Sequence, residues 1–219
     1  MTPLHVTAHL YSGFANTDPW SPSLDGILAY WYLKERTDPD LFAIGATTDA
    51  MLIPVEGLPL EVVRHGDWWW YAVSSPVYAP AATVRRHQHR RFDEQHERYL
   101  DLEGKSGKIQ TASGSFKNYR RTIQQHITNQ VDWYAVGDQA EVERLLRYAT
   151  AVGYKTAAGY GRVRRWEVVE LDDVDDRAYR HRPLPVGYAA EIAVTGQTMR
   201  WGIRPPGRIE ANNTLCVMP

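Results

Sequence analysis

The chain has few of the features that stabilise or target secreted and membrane proteins. Its 219 residues include one cysteine, Cys216, so no disulfide can form within the chain and we expect a reducing compartment. The first ten residues carry neither a basic segment nor an apolar run, which argues against a signal peptide. No stretch approaches the roughly 18 apolar residues that a membrane span requires. The sequence therefore predicts a cytoplasmic protein without a membrane partner.

Acidic residues are missing from three segments in the middle of the chain, although the net charge of the whole chain is only −1. The segments are residues 85–91, 104–131 and 153–166. Their cations are Arg85, Arg86, Arg90, Arg91, Lys105, Lys108, Lys117, Arg120, Arg121, Lys155, Arg162, Arg164 and Arg165. Positive charge concentrated in this way is typical of proteins that bind a polyanion. For any one segment, a solvated surface is an equally good interpretation.

The hydrophobic pattern predicts two units, each of which is a strand, then a helix, then a second strand. The first has a strand at 4–10, a helix from a Ser21 cap with Pro22 at its first position to about Arg36, and a strand at 68–78. The second has a strand at 131–136, a helix from Asp138 to a Gly153 cap, and a strand at 163–171. This order is the βαββαβ pattern of a ferredoxin-like α+β domain over residues 1–171. Residues 82–128 are then an insertion, either a β-hairpin arm or a flexible loop.

Three smaller predictions complete the expected architecture. Residues 11–20, rich in Gly, Asn, Asp and Pro, are expected to form a loop. Alternate rings of the strand at residues 68–71 must point to opposite sides, so we expect a second buried face there. Residues 172–219 are expected to form a small all-β extension, with a hairpin made by residues 188–194 and 199–203 and a last strand at 214–218.

Residues 153–163, here called the glycine loop, have the sequence GYKTAAGYGRV between a predicted helix and a predicted strand. Glycines let a backbone approach a phosphate closely and offer its N–H groups, and Lys155 and Arg162 add positive charge. We therefore expect the amides near Gly159 and Gly161 to bind RNA phosphates. From the residues alone, a tight helix-to-strand turn is an equally good interpretation.

The stretch from Gly159 to Val163, GYGRV, resembles the glycine-rich loop of the RAMP proteins of CRISPR-Cas systems. Residues 4–10 followed by LDGILAY at residues 24–30 resemble the first strand and helix of the same superfamily. The combination, together with the basic insertion, is most similar to the type IV subunit that corresponds to the Cas-five family. The resemblance covers residues 4–171 in element order.

The resemblance implies a subunit of an antiviral and anti-plasmid ribonucleoprotein complex. Such a subunit holds the 5′ handle of the guide RNA (crRNA), caps a helical backbone of other RAMP subunits, and contacts the large subunit. Its β-hairpin arm, here residues 82–128, inserts between the guide and the neighbouring backbone subunit. The resemblance also implies a helicase that works with the complex, and target DNA near the flanking motif.

The expected RNA contacts lie in the arm and in the glycine loop. They are Arg85, Arg86, His87, Arg90, Arg91, Lys105, Lys108, Phe116, Lys117, Tyr119, Arg120, Arg121, Lys155, Gly159, Tyr160, Gly161 and Arg162. Phe116, Tyr119 and Trp133 interleave with cations, and stacking rings beside phosphate-binding cations are typical of single-strand binding. The alternative for Phe116 and Tyr119 is that they pack the arm onto the body.

We expect a non-catalytic chain without a cofactor or a metal, and two alternatives stay open. A guide-processing endoribonuclease would draw on the groups His87, His89, His126, Tyr119 and Lys117, but no spacing singles out an acid–base pair. A subunit that contacts the target-flanking duplex would use the arginines of residues 85–91. Neither metal pattern is complete, because the histidines at 87, 89 and 96 lack a Cys or carboxylate partner, and the aspartates at 172–176 lack a calcium-loop glycine.

Overall fold

A computed structural model describes residues 1–37, 54–93, 95 and 109–219. Short 3₁₀ turns lie at Gly114–Phe116, Thr156–Ala158 and Glu210–Asn212. The strands and helices are, in chain order, β1 (Thr2–Leu10), β2 (Phe14–Asn16), α1 (Leu24–Arg36), β3 (Val62–His65), β4 (Trp68–Tyr71), β5 (Ala82–Arg90), β6 (Tyr119–Ile127), β7 (Gln130–Gly137), α2 (Gln139–Leu146), β8 (Val163–Glu170), α3 (Arg177–Arg180), β9 (Leu184–Pro185), α4 (Val186–Glu191), β10 (Gln197–Gly202) and β11 (Asn213–Met218).

The central sheet is antiparallel, with β1 between β7 and β8. Leu4, Val6 and Ala8 alternate along β1 and are fully buried, and they belong to the same core as the apolar residues of α1 and α2. Burial of one side-chain face explains the period-two pattern of the sequence. The α+β class is thereby confirmed.

The complete ferredoxin-like topology is not confirmed. Three of its strands, β1, β7 and β8, have the expected neighbours. At the free edge of β7, where that topology has a fourth strand, residues 60–77 form only isolated bridges, which join Leu60 to Gly137, Val73 to Ala135, and Val77 to Asp132. The predicted strand at 68–78 is shorter, because β4 ends at Tyr71 and pairs with β3 instead.

Both main helices are present, with corrected boundaries. The cap of α1 is Ser23 instead of Ser21, since the Ser23 Oγ accepts from the Gly26 N–H at 3.3 Å. The end of α1 at Arg36 and the Asp138 cap of α2 are confirmed. The second helix ends at Leu146 and not at Gly153, although the apolar stripe stays buried through Ala149 and Val152.

The insertion begins and ends in a β-hairpin, because β5 and β6 pair over their whole length from Ala82–Ile127 to Arg90–Tyr119. We keep the name arm for residues 82–128. Residues 11–20 are not entirely a loop. Within them, β2 pairs with the other edge of β6 near the base of the arm, with Phe14 opposite His126.

The aromatic run in β4 does bury two faces, as predicted. Tyr71 is fully buried in the main core, and Trp69 packs against that core. Trp70 is fully buried in a second cluster with Leu184, and Trp68 packs against this cluster. The run therefore joins the body of the protein to its C-terminal extension.

The C-terminal extension is a mixed structure, so the all-β prediction is wrong. Residues 186–191 form α4 instead of a strand, in keeping with the helix propensity of the alanines in VGYAAE. The predicted hairpin does not form, because β10 pairs with β11 and β11 pairs with β9. The last strand is confirmed, and within it burial raises the pKa of the Cys216 thiol to about 12.

Candidate nucleic-acid interface

The register of the arm divides its cations between two faces. Arg85 lies opposite Gln124, and Arg86 lies opposite Ile123, so alternate residues of β5 point to opposite sides. We call one side the open face, and its exposed members are Arg85, His87, His89, Arg120, Thr122 and Gln124. We call the other side the packed face, and its members are Val84, Arg86, Gln88, Tyr119, Arg121 and Ile123.

The open face offers cations and imidazoles that the rest of the described protein leaves largely unengaged. Arg85 and Arg120 have no salt-bridge partner among the described residues. The rings of His87 and His89 lie 6.4 Å apart, and the Thr122 Oγ1 is 3.4 Å from the His87 Nδ1. Arginines bind phosphates, and imidazole and hydroxyl groups hydrogen-bond to bases and sugars.

The packed face is more strongly engaged with the protein. Its Ile123 is 2% exposed, and the Arg121 guanidinium lies 4.7 Å from the centre of the Tyr119 ring. The Arg86 Nε donates to the Gln125 side chain at 3.4 Å. Arg120 and Arg121 were grouped in the sequence, yet they point to opposite sides of the hairpin. The basic segment around them is therefore two surfaces and not one.

Aromatic side chains meet next to the ends of the described strands of the arm. The rings of Phe92 and Phe116 are 5.1 Å apart, and the Asn118 side-chain oxygen accepts from the Phe92 N–H at 2.7 Å. Phe116 thus packs within the arm. The predicted contacts Lys105 and Lys108 lie outside the described residues, whereas the described cations Arg90, Arg91 and Lys117 are exposed at this end.

Trp133 and His126, which the sequence grouped with the arm, serve the interior. Trp133 is fully buried in the main core and its Nε1 donates to the Pro22 carbonyl at 3.0 Å, so its predicted place beside the arm rings is wrong. His126 is 7% exposed, and its two ring nitrogens lie 2.9 Å from the Asn16 Oδ1 and 3.2 Å from the Thr83 Oγ1. Burial lowers the pKa of His126. His126 therefore holds the arm to β2, and Trp133 belongs to the core of the body.

The two glycines of the GYGRV motif use their amides within the protein. The Gly161 N–H donates to the Gly13 carbonyl at 3.1 Å, and the Gly159 N–H donates to the Thr156 carbonyl at 2.9 Å. Both residues have positive φ, +67° and +91°, which favours glycine. This corrects the expected role of their amides. The side chains and the other backbone groups of the loop are the groups left to bind a ligand.

The side chains of the glycine loop form a second basic and aromatic surface. Arg162 is exposed, with its guanidinium 5.9 Å from the ring of Tyr11, which is itself 67% exposed. Lys155 and Tyr160 are half-buried on the same loop. Arg165 contributes less charge, because it pairs with Glu167 at 2.6 Å. Hydrogen bonds from His9 and Arg165 lower the pKa of Glu167.

Residues 11–16 connect the glycine loop to the arm. The Ala15 carbonyl accepts from the Tyr154 N–H at 2.7 Å, and β2 pairs with β6. The Gln125 side chain of the arm also donates to the Ser12 carbonyl at 3.2 Å. The sequence analysis missed this connection, because a three-residue strand in a polar stretch leaves no periodic signal. The two basic regions therefore belong to one continuous structure.

A family model described as CRISPR type IV associated protein Csf3 matches residues 2–218. The chain belongs to this family. A search of curated proteins found no match. The match spans nearly the whole chain, so it includes the arm and the C-terminal extension as well as the two motifs that carried the resemblance. The resemblance to a type IV CRISPR subunit is thereby confirmed.

Two structural findings concern other kinds of site in this Csf3-family chain. Over the ranges that the structure describes, no helix is both long and apolar enough to cross a membrane. Nor do three or more His, Cys, Asp or Glu side chains come together, within those same ranges, in a group that could hold a metal ion.

Proposed function

We propose that this Csf3-family chain is a non-catalytic subunit that binds the 5′ handle of the guide RNA in a cytoplasmic type IV complex. The observation that carries the proposal is the open face of the arm. It presents Arg85, Arg120, His87 and His89 together on one side of a two-stranded ribbon. Family membership supplies the CRISPR context.

The dimensions of the arm suit contact with an extended strand. Nine residues of β5 extend over about 30 Å, at about 3.4 Å per residue. Arg85 and Arg120 bind phosphates, while His87 between them and His89 opposite Arg120 hydrogen-bond to bases or 2′-hydroxyls. Tyr11 and Arg162 are joined to the base of the arm through β2, and they offer a second contact surface with a ring for stacking and another cation.

The remaining surfaces are proposed to meet other components of the complex. Following the family's context, the partners are backbone RAMP subunits, the large subunit, the recruited helicase and target DNA near the flanking motif. The packed face of the arm suits a protein neighbour, because it combines half-buried Val84 and Gln88 with buried Ile123. On this proposal, guide and neighbouring subunit lie on opposite sides of the hairpin.

Paired variants of the two faces test the proposal with matched loss of charge. Arg85→Ala with Arg120→Ala removes two cations from the open face, and Arg86→Ala with Arg121→Ala removes two from the packed face. The open-face pair should weaken binding to repeat-derived RNA. It should also make the fall of log affinity with log salt concentration less steep by about 1.4, at about 0.7 per lost phosphate contact. The packed-face pair should keep the slope of the unaltered protein. Equal slopes for the two pairs would refute the assignment.

A guide-processing endoribonuclease is the second candidate, because His87 and His89 lie 6.4 Å apart on the open face. Incubation with unprocessed repeat RNA in the absence of metal distinguishes the candidates. Our proposal predicts that the RNA stays intact. Specific cleavage that disappears in His87→Ala or His89→Ala would establish the enzyme, with His65→Ala, a histidine outside the arm, as the control.

A further inference from the structure

A cleft of about 920 Å³ lies between α1 and the C-terminal extension, away from the surfaces assigned above. Its walls include Trp20, Tyr30, Trp201, Arg200, Arg204 and Arg208. The residues that form the cleft are far apart in the sequence, so no local motif predicts it. The volume is that of a pocket for a small organic ligand, about 300 to 1,000 Å³.

The lining of the cleft includes a buried cation that is only partly compensated. Arg182 is 5% exposed, and Asp25, its one carboxylate partner among the described residues, is 3.5 Å away. Its other contacts are backbone carbonyls, such as that of Ile203 at 2.7 Å. Its Nε and the buried Ser75 Oγ, which also belongs to a lining residue, have no hydrogen-bond partner among the described residues. The positive charge of Arg182 beneath the cleft is therefore only partly compensated.

Further cations and rings surround this buried group. Arg200 and Arg208 are exposed and form no salt bridge within the described ranges. The rings of Trp20 and Trp201 meet edge to face at 5.5 Å. Asp25 is the one acidic residue in the described lining, and Arg182 already engages it. The cleft is thus positively charged and aromatic, and a recessed site concentrates such a potential.

We propose that this cleft is a nucleotide-binding site, with the phosphate at Arg200 and Arg208 and the base against Trp20 and Trp201. An aromatic base that carries a phosphate matches both properties of the lining, whereas inorganic phosphate or an apolar ring matches only one of them. The nucleotide is either free or the end of a strand. A strand end is within reach, since Trp20 follows Asn16 of β2 by four residues, at most about 14 Å of extended chain.

Calorimetric titration of the full chain tests the site. The probes are adenosine monophosphate, a 5′-phosphorylated adenosine dinucleotide, adenosine and inorganic phosphate. We expect both phosphorylated probes to bind at least about tenfold more tightly than adenosine or phosphate. Arg200→Ala with Arg208→Ala should weaken them by about tenfold or more, the loss expected for charged hydrogen bonds. Arg147→Ala with Arg164→Ala, two exposed arginines outside the cleft, is the matched control and should bind like the unaltered protein.

Each outcome decides the proposal. A dinucleotide that binds tenfold more tightly than the monophosphate supports a strand end, and equal affinities support a free nucleotide. Failure of both to bind at millimolar concentration, equal binding of inorganic phosphate, or equal losses in the two arginine pairs would overturn it. The arm variant Arg85→Ala with Arg120→Ala should keep full nucleotide affinity. Failure of the guide-RNA proposal and failure of this one are therefore distinguishable.

Discussion

Gly161→Ala tests whether the glycine loop is held in place by the contacts described here. A Cβ at residue 161 would lie 1.8 Å from the Val152 carbonyl oxygen, so the backbone at residue 161 must move away from residue 152 by more than 1 Å. That shift breaks the hydrogen bonds from Gly161 N–H to Gly13 and from Val152 N–H to Gly161, now 3.1 and 2.9 Å long. Each bond contributes about 1 kcal/mol. The positive φ adds about 1 to 2 kcal/mol of strain for alanine.

The expected loss in the free energy of unfolding is therefore about 3 to 4 kcal/mol, or roughly 6 to 16 °C in Tm for a chain of this size. Gly159→Ala is the matched control. It has a similar positive φ, but nothing lies within 4 Å of its Cβ, so we expect only the strain of about 1 to 2 kcal/mol, or about 2 to 8 °C in Tm. Thermal unfolding followed by circular dichroism compares the pair. A Gly161→Ala variant that melts within about 2 °C of Gly159→Ala would refute the reasoning.

Two further predictions concern buried ionisable groups. Asp25→Ala leaves the Arg182 guanidinium buried without its carboxylate. It should lower the free energy of unfolding, measured in urea, by about 3 to 5 kcal/mol. The control is Glu35→Gln at the exposed pair with Arg144, which should change the urea midpoint little. A small effect of Asp25→Ala would show that the pair does not hold the extension to α1. Burial lowers the pKa of His126 in the folded state, so the unfolded chain binds the proton more readily and stability should fall as the pH drops through about 6.5. His126→Gln should reduce this loss in thermal unfolding at pH 5 against pH 7.5, and His87→Gln should not. An undiminished loss in His126→Gln would assign the effect to other groups.

The strongly periodic elements of the fold were predictable from the sequence. Period-two burial along β1 and the apolar stripe of α1 leave a direct mark on the pattern of residues. Element boundaries were less accurate, since Ser21 and Ser23 are equally good caps by composition and only the hydrogen bond to Gly26 separates them. The short strand β2 forms through its pairing with β6, a tertiary contact that local patterns do not encode.

The candidate interface was predictable in composition and not in arrangement. The acid-free segments located the cations of the arm. The division into open and packed faces depends on the register of β5 against β6, and a slip of one residue would exchange the two faces. The role of the Gly161 amide likewise depends on the Gly13 carbonyl, which lies nearly 150 residues away in the chain. The cleft beside α1 depends on similarly distant residues.

The most direct test of the central claim is a map of crosslinks between this chain and the guide RNA in the assembled type IV complex. Ultraviolet crosslinking followed by peptide mass spectrometry locates the residues that touch the RNA. The account predicts crosslinked peptides that contain residues 85–89 and 120–124, with adducts on the 5′ handle of the guide. Crosslinks that avoid the arm altogether, or that fall on the arm but join it to another region of the RNA, would contradict it.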